Sequence, residues 1–147
     1  MTHGADTSFL VAVEIVEHAH HACALRAPGE LLARDDRVAI APQVLAEFAH
    51  VVTDARRFQQ PLSMETALDK SERWWNAAEA EQVQPIDVVV ARFHEWMRRH
   101  QFGQKRVLHT LLTATYRAAG ITSLLTLNTE DFAMFGEFAF VLLVLTQ

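Results

Sequence analysis

Short apolar runs alternate with longer stretches of helical spacing along this chain, and that alternation restricts it to few architectures. Arg37–Ala41 and Ser123–Leu127 read as strands, and Phe138–Leu145 as a last one. Between them, Val44, Leu45, Phe48, Val51 and Val52 recur at i, i+1, i+4, i+7 and i+8 after Pro42, a residue tolerated at a helix start. His18–Ala33 reads as helix interrupted at Pro28-Gly29, and Ser63 is placed to cap a helix carrying Trp74 and Trp75. Asp87 is expected to cap a further helix running to about His100. Lys105–Ala119 is amphipathic, with Val107, Leu108, Leu111, Leu112, Thr115 and Ala118 on one side and Gly120 closing it. Strands that alternate with helices predict an α/β fold with a short, mostly parallel sheet flanked by helices. A first strand is expected just ahead of Asp6, running into a helix by Val13, although Met1–Ala5 lacks the β-branched run that marks a strand.

The 147 residues suffice for one domain with a real core, and no repeat or linker divides them, so residues 1–147 are read as a single domain. No stretch approaches the ~20 apolar residues of a spanning helix, so no membrane association is expected. No basic-then-apolar segment opens the chain, and Cys23 is the only cysteine, which excludes an internal disulfide. These features fit a reducing, cytoplasmic location. The formal net charge of −5 lacks the basic footprint usual in nucleic-acid binders. An acidic site that binds cations changes its own local sign, however, so this class stays open.

Three carboxylates sit in or beside apolar runs: Asp6, Glu47 and Asp131. An acid that abuts core-like sequence is costly to desolvate unless it is paired or holds a cation. Sites in open parallel sheets form outside the carboxyl ends of the strands. Asp6 follows the first strand, Glu47 lies one turn into the helix after the second, and Asp131 follows Ser123–Leu127 by four residues. His109, at the border of its helix's apolar face, would reach the same rim. Carboxylates without nearby thiols favour a hard cation, Mg²⁺ or Mn²⁺, and phosphodiester hydrolysis is natural chemistry for such a site. Each acid alone reads more often as a helix cap or a surface residue than as a ligand, and only the combination points to a shared site.

Together these segments resemble a PIN-domain ribonuclease, the toxin of a VapBC-type toxin–antitoxin pair. The resemblance runs through Asp6-Thr7-Ser8-Phe9-Leu10, Pro42-Gln43-Val44-Leu45-Ala46-Glu47-Phe48, Thr110-Leu111-Leu112 with Ala119-Gly120, and Leu124-Leu125-Thr126-Leu127-Asn128-Thr129-Glu130-Asp131-Phe132. Val51-Val52-Thr53-Asp54, Arg56-Arg57-Phe58 and Pro61-Leu62-Ser63 look like one branch of these toxins. The resemblance implies a PIN-like three-layer sandwich and a metal-dependent endoribonuclease. Asp6, Glu47 and Asp131 would be its metal-binding and catalytic acids, with Ser8 and Asn128 as hydrogen-bonding support. It also implies a cognate antitoxin, an RNA substrate and a homodimer.

The family carries an Asp where this chain has His109, immediately before Thr110-Leu111-Leu112. The position is therefore read as catalytic but not as an acid. Imidazole suits Mn²⁺, Zn²⁺ or Ni²⁺ better than Mg²⁺. Impaired activity is the expectation, a shifted metal preference the second reading, and a residue altered to make a toxic protein tolerable the third. The alternative function is an inactive PIN-fold binding partner in a toxin–antitoxin repressor complex. A haloacid-dehalogenase site wants a second Asp where Ser8 stands, and a receiver domain wants an adjacent acid pair that is missing here.

Lys105 and Arg106 precede His109 and are the expected RNA-phosphate contacts. Arg56-Arg57 and Arg98-Arg99 read first as solvated helix ends. His18, His20 and His21 suggest a metal cluster at first sight but read more simply as an exposed helix end. Trp74, Trp75, Phe93 and Trp96 read as core or interface residues, and the resemblance implies a groove for an antitoxin helix.

Overall fold

The computed structural model describes residues 1–141. Five strands form one sheet in the order β3-β2-β1-β4-β5, every neighbouring pair parallel. The strands are β1 (Thr2–Ala5), β2 (Arg37–Ile40), β3 (Ala80–Gln82), β4 (Ser123–Leu125) and β5 (Ala139–Phe140). The helices are α1 (Thr7–Glu14), α2 (His21–Ala24), α3 (Ala27–Ala33), α4 (Pro42–Val52), α5 (Met64–Asn76), α6 (Asp87–Arg99), α7 (Val107–Ala118) and α8 (Glu130–Ala133). From β1 to β3 the chain steps one way across the sheet, and from β3 to β5 it steps back past β1. Right-handed crossovers therefore put α1–α5 on one face and α6–α7 on the other. The contacts agree, with α1 on α4 and α4 on α5, and α6 on α7. The three-layer α/β expectation holds.

The poorly marked first strand is real, and it is the centre of the sheet. Its side chains suit that place rather than a propensity scale. His3 Nδ1 meets Ser123 Oγ at 2.7 Å across the β1–β4 pair. Gly4 lies under the ring of Tyr116, whose hydroxyl donates to the carbonyls of Ala5 at 2.6 Å and Ala39 at 3.1 Å. One buried tyrosine on α7 thus ties the ends of β1 and β2. Its hydroxyl pKa is pushed well above the usual value by burial.

Several expectations are corrected. The break within His18–Ala33 falls at Leu25-Arg26, and Pro28-Gly29 lies inside the first turn of α3, where proline costs no hydrogen bond. Ile86 is the cap of α6, and Asp87 is its first helical residue. β3 was not legible as a strand, because Ala80-Glu81-Gln82 has no strand character of its own and is held by backbone pairing to β2. The loop ahead of Asp131 continues into a short helix, α8. β4 ends at Leu125, two residues short of the expected strand. Of the expected strand Phe138–Leu145, residues 142–145 lie outside the described residues.

The buried face of α7 is also rotated from the expected one. Leu108 is exposed, while Thr110 and Thr113 are fully buried. The threonines tolerate this because each hydroxyl donates within the helix: Thr110 to Arg106 O at 2.6 Å, Thr113 to His109 O at 2.7 Å and Thr115 to Leu111 O at 2.8 Å.

Ser63 caps α5 as expected, its Oγ accepting from the Thr66 N–H at 3.1 Å. Ser63→Ala should cost about 1 kcal/mol, read as a lower urea midpoint with unchanged slope. Among the described residues no helix is long and apolar enough to cross a membrane.

Candidate active site

The sheet order reverses at β1 and β4, and in open α/β folds a crevice opens outside the strand ends at that point. Asp6 directly follows β1 and is only 3% exposed. It is the N-cap residue of α1, yet its side chain makes no capping bond. Its Oδ2 instead accepts from Ser8 Oγ at 2.7 Å and Thr126 Oγ1 at 2.9 Å. Ser8 Oγ in turn accepts from the Leu127 N–H, and Thr126 Oγ1 from the Asn128 N–H, both at 3.0 Å. Each hydroxyl has one proton and spends it on Asp6, so both are oriented by the backbone leaving β4. The two hydroxyls hold Oδ2 in place beside the start of α1. Oδ1 is left for the cleft.

Glu47 faces the same space from α4. Thr7 Oγ1, at the start of α1, donates to its Oε2 at 3.0 Å. Asp6, Glu47, Ser8, Asn128 and His109 all border one cleft of ≈490 Å³. His18, His20, Arg57 and Phe58 border it as well.

Asp131 stands apart from this arrangement. It lies in the first turn of α8, and Arg106 Nη1 donates to its Oδ1 at 3.0 Å. Its Oδ2 is 3.7 Å from His109 Nε2, too long for a hydrogen bond. It does not border the cleft, although its neighbour His109 does. The His109 ring rests edge-on against Phe132, and its Nδ1 is buried without a hydrogen-bond partner. Of the two expected RNA-binding residues, Arg106 is committed to Asp131, and Lys105 is exposed.

Two supporting residues were missed in the sequence, Thr7 and Thr126. The only signal for them was a hydroxyl at the start of α1 and another just past β4. Asn128 helps through its backbone N–H, with its side chain at the cleft.

Among the described residues no three His, Cys, Asp or Glu side chains stand close enough to hold a metal ion together. The oxygens of Asp6 and Glu47 instead suit a hard cation that keeps most of its waters, the habit of Mg²⁺.

An acidic cleft at the switch point of a five-stranded parallel sheet defines the class of the molecule. No protein-family model matches the chain. No curated protein sequence matches it either. Solved structures do. VapC20 of Mycobacterium tuberculosis, a sarcin-ricin loop cleaving toxin, matches with a TM-score of 0.69 at 19% identity, covering 91% of this chain and 95% of that one. VapBC2 of Rickettsia felis, bound to a DNA fragment from its promoter, matches at 0.65 and 17% identity over 96% and 98%. VapBC-1 of nontypeable Haemophilus influenzae matches at 0.64 and 14% identity over 96% and 97%. The chain has the PIN-type fold of VapC toxins.

Proposed function

We propose that this chain is an endoribonuclease toxin, a hydrolase that cuts RNA phosphodiesters with Mg²⁺ or Mn²⁺ and is neutralised by a cognate antitoxin. The carboxylate of Asp6 carries this reading. It is buried at the switch point, fixed through one oxygen by Ser8 and Thr126, and opposed across a cleft by Glu47 in a VapC-like fold.

Asp6 and Glu47 would hold the cation, which when bound supplies a Lewis acid and lowers the pKa of a water beside the phosphate. Ser8 and Thr126 hold Asp6 in place. Thr7 does the same for Glu47, so neither carboxylate reorganises as the phosphodiester docks. Asn128 and His109 border the path of the RNA backbone. Asp131 serves here by holding Arg106.

The antitoxin has a candidate seat. An apolar groove of ≈330 Å³ runs between α4 and α5, bordered by Leu45, Leu68 and Trp75, and suits an amphipathic helix. The four aromatic residues expected to share such a groove do not meet. Trp74 packs edge-on against Phe9 beneath α5, whereas Trp96 packs against Phe135 beside α6. Pairing of two copies into a homodimer belongs to the same proposal.

The geometry of Asp131 favours a second reading, a VapC-fold binding partner that no longer cuts RNA. Arg106 occupies the third acid, and His109 stands where a fourth would add charge. Both readings are tested by offering mixed RNA to the parent chain and to His109→Asp, each with Mg²⁺ and with Mn²⁺. We expect the parent to cut slowly, and His109→Asp to cut about tenfold faster or more with Mg²⁺, since a further carboxylate raises the charge facing the cation. Mg²⁺ should also raise the melting temperature of His109→Asp more than that of the parent. Equal rates with Mn²⁺ would make His109 a working ligand. Micromolar binding of either ion to the parent, measured by calorimetry, would count against the inactive-partner reading.

A further inference from the structure

The cleft has a second wall that the acids do not use. His18 and His20 border it from the turn between α1 and α2, and Arg57 and Phe58 from the loop after α4. The two segments are fastened together, because the Glu17 carboxylate accepts the backbone N–H groups of Gln59 and Gln60, each at 3.1 Å.

The donors on this wall are set by local bonds. The His20 N–H donates to His18 Nδ1 at 3.1 Å. A ring nitrogen that accepts carries no proton, so neutral His18 bears its proton on Nε2. Burial lowers the His18 pKa, and the charges of His20 and His21 lower it further. Near neutral pH the ring is therefore an uncharged donor. His21 takes no part, since its Nδ1 lies 2.9 Å from the Ala12 carbonyl and ties the turn to α1.

Arg57 is the exposed cation of the wall, in a long ion pair with Asp54 that leaves its guanidinium open to the cleft. Its Nε is 3.6 Å from Asp54 Oδ2, beyond hydrogen-bond reach, while Arg56 holds Asp54 Oδ1 at 3.1 Å. The Arg57 side chain is 59% exposed. Phe58 packs partly on the core and turns its remaining surface to the cleft.

We propose that this wall is a nucleotide subsite for single-stranded RNA, with Arg57 and His18 Nε2–H on a phosphate next to the scissile one and Phe58 against the adjoining base. The inference rests on the nuclease reading and deepens it. An RNA strand passing Asp6 and Glu47 meets two negative side chains, and its phosphates need donors on the facing side to stay in register. Arginine supplies a two-pronged phosphate contact, and an aromatic surface accepts any base. The cleft volume of ≈490 Å³ suits one nucleotide.

The test is fluorescence anisotropy of a labelled single-stranded RNA with the whole chain in EDTA, across a salt series, so that nothing is cut. Arg57→Ala should weaken binding roughly tenfold and lower the salt slope by about one. His18→Phe should weaken it several-fold, while His18→Gln, whose amide N–H reaches where Nε2–H does, should bind as the parent does. Melting curves should be unchanged for Arg57→Ala. Parent-like affinity and slope in both Arg57→Ala and His18→Phe would overturn the subsite. If the parent cuts RNA with Mg²⁺ or Mn²⁺ and these variants cut it with unchanged KM, the subsite alone falls. If the parent neither binds nor cuts RNA, the nuclease reading fails and takes the subsite with it.

Discussion

Asp6→Asn should abolish RNA cleavage while leaving the fold as stable as before, or more so. The carboxylate is 3% exposed and has no cationic partner among the described residues. Two hydroxyls offset part of its desolvation, and an acid in that state is costly unless a cation completes it. Asparagine matches its shape, and its amide oxygen in the place of Oδ2 accepts from both Ser8 and Thr126. It removes the charge that would hold the metal, and loss of that Lewis acid is worth several kcal/mol, or about three orders of magnitude in rate. The measurement is single-turnover cleavage of RNA with Mg²⁺ and Mn²⁺, beside thermal melting in EDTA and in Mg²⁺. The parent should gain stability from Mg²⁺ and Asp6→Asn should not. Full cleavage by Asp6→Asn would remove Asp6 from the chemistry and sink the assignment of this cleft as the nuclease centre. A stability gain without metal would mark Asp6 as a residue kept for function at the expense of the fold.

Gly4→Ala should be the most damaging small change in the core. A Cβ on Gly4 would lie 2.7 Å from Tyr116 Cδ2 and 2.8 Å from Cε2. Neither side can yield cheaply. Gly4 is paired on both sides, to Ala39 of β2 and Leu124 of β4. The Tyr116 ring is fully buried, and its hydroxyl is anchored to the Ala5 and Ala39 carbonyls. Overpacking of this kind costs about 3 kcal/mol, which for a chain of this size lowers Tm by roughly 6–12 °C. Tyr116→Leu alone should also destabilise, since it leaves those carbonyls without their donor. The double variant should lose less than the sum, because the leucine vacates the space that the new methyl enters. Additive losses, measured by urea denaturation of both singles and the double, would show that the two residues do not compete for that space.

Most of the architecture was present in local pattern. Apolar periodicity places α4 and α7, Pro42 and Ser63 mark helix starts, and the apolar runs of β2 and β4 stand out. The acids were legible as well, since Asp6 sits at a strand-to-helix junction and Glu47 inside α4, each beside apolar residues where an unpaired charge is costly. Elements held by their partners rather than by themselves were harder to read. β1 carries His3 and Gly4 in its middle, and β3 is Ala80-Glu81-Gln82. Both are strands because neighbouring strands supply their hydrogen bonds.

The alternation of strand and helix and the parallel sheet were already written in local pattern, because periodicity and strand-to-helix order are local quantities. Which acids meet was settled by the packing of the elements. Glu47 joins Asp6 across the cleft, while Asp131 turns to Arg106. That packing also decided that Thr7 and Thr126 are the hands that hold the site. It carried His18 and Arg57, about forty residues apart in the chain, to the same wall. Such choices depend on distances and donor directions between elements remote in sequence, and no local pattern encodes those.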